Sequence, residues 1–243
     1  MTGHSVVSQT EWLEARRALL AREKALKHEQ DALARERQQL PWVRVEKEYI
    51  FDAPEEKLGL SDLFDEKSQL MIYHFMFAPE WEAGCPSCSM AADTMDANYA
   101  HLTQRDVAFA MVSRAPLSKI DAFKKRLGWS VPWVSSYHST FNQDFGVTYT
   151  EGKPRDGWYN FATIGYPAEE AHGVSVFAKD AEGAIYHTYS AYARGLEGLL
   201  GVYTMLDLVP KGHDEESLPW PMAWVKHHDR YEAAKPAAAC CAH

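Results

Sequence analysis

The sequence predicts an α/β protein: a mixed β-sheet with helices on its faces and one long helix ahead of it. Three observations carry this. The nearly continuous apolar runs "LMIYHFMF" (70–77) and "DVAFAMVSRA" (106–115) read as strands buried on both faces. Helix-compatible segments follow each of them, the alternation expected of α/β architecture. Further on, "HGVSVFAKDAEGAIYHTYS" (172–190) reads as a hairpin around Asp180-Ala181-Glu182-Gly183. With 243 residues, 46% of them hydrophobic, the chain can build one sizeable domain with additions, or two small ones.

The elements follow in order. Residues 8–40 read as one long helix, opened by "SQTE" (8–11), a capping-box pattern, with Val7 and Trp12 placed for a hydrophobic staple. Trp12, Leu19, Leu26, Leu33 and Leu40 recur every seven residues, and Glu23–Lys27 and Asp31–Arg35 are spaced for i,i+4 ion pairs. Arg22, Glu29 and Glu36 narrow the apolar stripe, so the helix is expected to lie on its own domain or pair with a second copy in a homodimer. Pro41 stops it. "WVRVEKEYIF" (42–51) alternates, which suits an edge or half-buried strand, and "SDLF" (61–64) reads as a short helical turn. "CSMAADTMDANYAHL" (88–102) is a helix. "PLSKIDAFKKRLG" (116–128) is another, with Pro near its start and Gly past its end. "VPWVSS" (131–136) is a short strand, 196–208 an amphipathic helix, and "PMAWVKHHDRYEA" (221–233) a last helix. The tail "AKPAAACCAH" (234–243) is simple in composition and reads as disordered. The expected domains are 1–40, the body 41–212, and a C-terminal helix and tail, 213–243.

A net charge of −9 argues against a nucleic-acid or anionic-membrane binder, which needs a basic face. No run of 18 or more apolar residues suggests a membrane helix. The start of the chain has no basic stretch followed by an apolar one, so a cytoplasmic protein is expected. Four cysteines at this length do not make a secreted disulfide scaffold. In a reducing compartment, a close pair points to redox or metal chemistry.

That pair is Cys85-Pro86-Ser87-Cys88, between a buried strand and a helix start. Backbone N–H groups and the dipole at a helix N-terminus favour a thiolate and lower its pKa. Pro86 suits the first helical position. A spacing of three sets the second sulfur one turn along. Cys85 therefore reads as the exposed nucleophile and Cys88 as the buried resolving thiol. Half of a zinc site is the chief competing reading. It needs two further ligands, and none of the 11 histidines stands at the expected spacing. Two inert core thiols are the third.

With these residues in view, a family resemblance emerges. The strand–CxxC–helix context resembles the thioredoxin-like superfamily, and the hairpin resembles the strand pair of thioredoxin-like and peroxiredoxin-like proteins. "LPWVRVEKEYIFD", "YHFMFAPEWEAGCPSCS", "VSRAPLSKIDAFKKRLGW" and "YHTYSAYARGLEGL" resemble more closely the bacterial family called domain of unknown function eight-nine-nine. The likeness runs from about residue 5 to about residue 230. It implies a thioredoxin-like (peroxiredoxin-like) mixed sheet and a dithiol–disulfide oxidoreductase without a bound organic cofactor. Its substrates would be protein or small-molecule disulfides, and its electrons would come from another dithiol or glutathione. A slow thiol peroxidase and a soft-metal-binding protein are the alternatives. The Pro and Thr/Ser that precede the reactive cysteine of peroxiredoxins are replaced by Ala78 and Glu82. The cis-proline usual opposite the thioredoxin site is absent, with Gly173 or Val174 in its place.

The resemblance also suggests supporting residues. His74 occupies a strand position like that of the buried acid of thioredoxins and is a candidate proton carrier for Cys88, against a core histidine as the simpler reading. Trp81, Pro86 and Gly173 are candidates for substrate contact. Arg114 is expected in an ordinary surface ion pair, against a role in favouring the thiolate, and Tyr73, Trp133 and Tyr159 in the core. Cys240 and Cys241, adjacent in the tail, could act as further resolving thiols or pass a soft metal such as Hg or Cu(I), against an incidental tail.

Overall fold

The computed structural model describes residues 3–149, 159–161 and 168–232. The chain divides into two compact units, Met1–Pro41 and Trp42–His243.

The first unit is a 30-residue helix, α1 (Gln9–Gln38), whose capping box at Ser8 and Glu11 is formed in both directions. Its ion pairs differ from the expected ones: Arg16 reaches Glu23 at 2.8 Å and Lys27 reaches Asp31 at 2.5 Å. Long side chains on an exposed helix choose among several neighbours of nearly equal energy.

The second unit is built on an eight-stranded sheet: β1 (Val43–Arg44), β2 (Ile50–Asp52), β3 (Lys57–Gly59), β4 (Gln69–His74), β5 (Val107–Ser113), β6 (Trp133–Ser135), β7 (Gly173–Lys179) and β8 (Ile185–Tyr192). The strands lie in the order β1-β8-β7-β4-β5-β6-β2-β3. Parallel β4 and β5 form the centre, β6 runs parallel to β5, and β7 returns antiparallel to β4. The β7–β8 hairpin turns where expected, with Asp180 accepting from the amides of Glu182 and Ala184 and Gly183 at φ 86°. Helix α2 (Pro86–Thr103) links β4 to β5 and α3 (Leu117–Leu127) links β5 to β6. Two parallel strands joined through a helix, flanked by an antiparallel hairpin, form a thioredoxin-like core.

Strand alternation divides the buried side chains between two faces. Tyr73, Phe75, Phe77, Phe109 and Met111 pack with α2 and α3, whereas Leu70, Ile72, Ala108 and Val112 pack with Phe51, Phe64 and Phe141 on the other side.

Two expected elements are revised. The stretch 42–51 is two strands, β1 pairing β8 at one edge and β2 pairing β3 and β6 towards the other. Between them the charged stretch Glu46-Lys47-Glu48 carries no ladder, and Lys47 bonds Asp144 at 2.6 Å instead. Among the described residues of the helix expected over 221–233, residues 221–232 form no α-helix but turns and a short 3₁₀ turn, His228–Arg230. Met222, at φ 68°, interrupts helical geometry, and the following polar side chains bond the body of the protein. The stretch 196–208 is helical in two pieces, a 3₁₀ segment (Ala193–Leu199) and α5 (Gly201–Leu206), broken at Leu200 with ψ 78°. A short α4 (Phe141–Asp144) and β3 lie where no element is expected. Both are too short to show a period. Among the described residues, no helix is long and apolar enough to cross a membrane.

Candidate active site

The chain leaves β4 through Phe75–Ala78 and crosses a tight loop to Cys85. Lys119 of α3 holds this loop, donating from Nζ to the carbonyls of Pro79 at 2.8 Å and Trp81 at 3.0 Å. Cys85 is the N-cap of α2 and Pro86 occupies the helix start, as the motif predicts. The Cys85 N–H donates to Met76 O at 3.0 Å, and its carbonyl accepts from the Ser89 N–H and Ser89 Oγ, both at 2.9 Å.

Both cysteines are free thiols. Cys85 is half-buried and Cys88 is buried at 3% exposure. Their environments push them apart. The Cys88 thiol, donating to the Cys85 sulfur, is the largest influence on Cys85. With the backbone N–H groups of Cys88 and Ser87 it outweighs burial and brings the Cys85 pKa down to about 7. Burial, reinforced by the Cys85 sulfur, pushes the Cys88 thiol well up; the Tyr73 hydroxyl and the Met76 N–H act against it. Near pH 7 about half of Cys85 is thiolate, above a Cys88 that stays protonated.

Tyr73, 1% exposed, is placed under Cys88 by strand register: residues 73, 75 and 77 share the face that α2 covers. His74 necessarily points the other way. Its Nε2 lies 2.8 Å from Ser175 Oγ and its ring stacks on Phe141 and Phe145 at 5.5 and 5.9 Å. Burial holds its pKa down at about 3. The proton-carrying role expected of His74 does not fit this position, because the sheet separates it from the thiols; Tyr73, read from sequence as core, is at the site. The one-residue difference is visible in the sequence only once the face covered by α2 is known.

The other expected residues are placed as follows. Trp81 and Cys85 both pack against the buried cluster that contains Cys88, and Pro86 is exposed at the start of α2. Gly173 is a correction as a substrate contact. It is in register with His74 of β4 on one side and Tyr192 of β8 on the other, and a Cβ there would meet the Tyr192 ring at 2.6 Å. A strand paired on both sides has little backbone to offer a substrate. No cis peptide bond occurs among the described residues. Arg114 pairs with buried Glu170 at 2.6 Å, and Thr148 Oγ1 donates to the same carboxylate at 2.9 Å, so this pair is more enclosed than the surface bridge expected.

Sequence reading also misses His227, which bonds the Gly84 carbonyl from 143 residues away. No local pattern announces such a contact. Cys240 and Cys241 lie outside the described residues. Among the described residues, no group of three or more His, Cys, Asp or Glu side chains is arranged to hold a metal ion.

Residues 1–231 match the family model described as "Bacterial protein of unknown function (DUF899)". No curated protein matches. Solved structures similar to this chain include the peroxidoxin BcpB of Mycobacterium tuberculosis, at 13% identity over 67% of this chain and 94% of that one, TM-score 0.46. Another is AhpC of Enterococcus faecalis, at 13% identity over 69% and 93%, TM-score 0.44. Peroxiredoxin Q of Xanthomonas campestris matches at 14% identity over 63% and 87%, TM-score 0.43.

Proposed function

The chain belongs to the bacterial family DUF899, and from that premise we propose that it is a two-cysteine thiol redox enzyme in which Cys85 attacks an oxidised substrate and Cys88 resolves the product. The observation that carries this reading is the placement of the thiols, Cys85 at the N-cap of α2 and Cys88 buried one turn along, which lowers the first and raises the second.

Two oxidants suit this pair. With a disulfide, the Cys85 thiolate attacks one sulfur and expels the other as thiolate. Cys88, losing its proton, then attacks Cys85 and releases the second thiol, leaving a Cys85–Cys88 disulfide. With a hydroperoxide, the thiolate takes the terminal oxygen and the alcohol leaves after protonation. The resulting Cys85 sulfenic acid condenses with Cys88, forming the same disulfide and water. A dithiol or glutathione supplies two electrons to restore the thiols in either cycle. The strand pairing around Gly173 favours a small oxidant, a hydroperoxide or low-molecular-weight disulfide, over a folded protein that must align its backbone there. Ala78 and Glu82, standing where peroxiredoxins carry proline and a hydroxyl, support slow peroxide turnover.

Tyr73 is the group placed to donate a hydrogen bond to the Cys88 sulfur and favour its thiolate as it forms in the resolving step, the proton leaving with the departing thiolate or water. His74 has no part in this reading.

The test mixes reduced protein with hydrogen peroxide or with glutathione disulfide and follows the Cys85-containing peptide by mass. The expected result is one intramolecular disulfide per oxidant consumed with at least one of them. Cys88→Ser should stop at a trapped sulfenic acid or mixed disulfide. Consumption of both oxidants by Cys85→Ser at the wild-type rate would sink the proposal.

A further inference from the structure

The peptide joining Gly84 to Cys85 is tied at both of its polar groups. Its N–H donates to Met76 O at 3.0 Å, and its carbonyl lies 2.8 Å from His227 Nε2. The first bond comes from the extension of β4. The second comes from the far end of the chain, where His227 opens the 3₁₀ turn His228–Arg230.

His227 is itself held. Arg126 of α3 places Nη2 2.7 Å from His227 Nδ1; a guanidinium can only donate, so Nδ1 accepts and Nε2 carries the hydrogen given to Gly84. The imidazole meets the Phe123 ring edge to face at 5.1 Å. Arg126 is fixed in turn by Asp229 at 3.2 Å, and the neighbouring His228 bonds Asp93 of α2 at 2.7 Å. Val225, just upstream, is buried. Gly84 completes the fit: a Cβ there would stand 2.5 Å from Phe75 and 3.2 Å from Phe123, the ring that supports His227.

The consequence reaches the sulfur through geometry. The Ser87 and Cys88 N–H groups can point at Cys85 Sγ only while Cys85 keeps its N-cap backbone angles, φ −56° and ψ 129°. A peptide plane bonded at one end can rock about its flanking dihedrals; one bonded at both cannot. From this arrangement we infer that His227 is a positioning residue for Cys85: by pinning the Gly84 carbonyl it keeps the first-turn amides of α2 aimed at the nucleophilic sulfur. The C-terminal segment thereby sets the reactivity of a thiol 142 residues before it in sequence. This inference rests on Cys85 being the working thiol of the proposed redox cycle.

Other charged and titratable groups in and around the loop are Glu80, Glu82, Lys119, Arg126, Asp229, Asp93, His228, Tyr73 and Cys88, and the test leaves all but Arg126 unchanged. In the full-length reduced protein, the rate of Cys85 alkylation by iodoacetamide is measured against pH on the isolated Cys85 peptide, which separates it from the tail cysteines. His227→Phe retains the ring contact and removes both hydrogen bonds. It should move the midpoint up by half a pH unit or more, about a threefold slower reaction below the midpoint. His227→Gln, whose amide can still donate to Gly84, should restore at least half of that shift. Superimposed wild-type and His227→Phe profiles would overturn the inference; so would equal shifts in the Phe and Gln variants, since packing alone would then account for them. Should His227→Phe not fold, Arg126→Met decides: an upward shift supports the inference and an unchanged profile overturns it. A wild-type chain that reacts with neither peroxide nor disulfide defeats the proposed redox cycle, while the alkylation profiles still report on His227.

Discussion

At the scale of single residues, two sulfurs of the same chemical type behave differently because one sits in the helix cap and the other is beneath it. With the Cys85 pKa at about 7, its alkylation rate should be half-maximal near pH 7 and fall about tenfold per unit well below that. A midpoint above 8.5, the ordinary thiol range, would remove the electrostatic case for Cys85 as nucleophile. Tyr73→Phe removes a hydroxyl that favours the Cys88 thiolate, so closure of the Cys85–Cys88 disulfide should slow severalfold while the Cys85 midpoint moves little. Rapid-quench trapping of the oxidised Cys85 intermediate separates the two steps. An unchanged closure rate in the variant would return Tyr73 to a packing role. The places of Cys85 and Cys88 and their unequal burial are readable from the motif, since Pro86 and the following helix pattern set them. The choice between Tyr73 and His74 is not: both lie in one apolar run, and only the face covered by α2 distinguishes them.

At the scale of elements, the legible pieces are those with a strong local signature. Strands β4 and β5 are continuous apolar runs, α3 carries Pro116 before its start and Gly128 at φ 70° after its end, and the β7–β8 hairpin has its Asp-x-x-Gly turn. The segments 42–51 and 221–233 misread because their alternation or amphipathic spacing is genuine while their partners lie elsewhere. β1 and β2 pair with different strands, and His227 and His228 bond α2, α3 and the Cys85 loop instead of extending a helix. One tertiary tie between elements is open to direct test. Arg114, just beyond β5, and Glu170, just before β7, form an enclosed pair. Glu170→Ala should destabilise the protein by about 3 kcal/mol, because it strands a largely buried guanidinium. Glu170→Gln, which can keep the Thr148 bond, should cost about half as much. Urea midpoints at constant slope measure both.

At the scale of the whole molecule, the redox state of the pair should be felt in global stability. A thiolate favoured by the fold stabilises the reduced protein relative to its disulfide form. The sign follows from linkage. Cys85 is lowered in the folded state, so its contribution is absent well below pH 7, grows between the folded and unfolded values, and is complete above the unfolded thiol value near 8.5. The melting temperature of the reduced protein should therefore gain on that of the oxidised protein between pH 6 and pH 8.5. For a half-buried sulfur, after screening, the gain is on the order of 1–2 kcal/mol, or about 2–6 °C. Calorimetry of both forms across that range checks it. A reduced-form melting temperature that falls relative to the oxidised form as pH rises would contradict the assigned shift.

By itself the sequence determines the order of strands and helices of a mixed α/β sheet, the place of the cysteine pair at a helix start, and which thiol is the more exposed. Each follows from short-range physics: apolar period, proline at a helix start, and a spacing of one helical turn. The tertiary structure alone decides what surrounds those thiols. Strand register turns Tyr73 towards Cys88 and His74 away, β-pairing closes the backbone at Gly173, and the C-terminal segment brings His227 to the Gly84 carbonyl. These contacts join residues tens to more than a hundred positions apart, and their energies depend on geometry that no local pattern encodes.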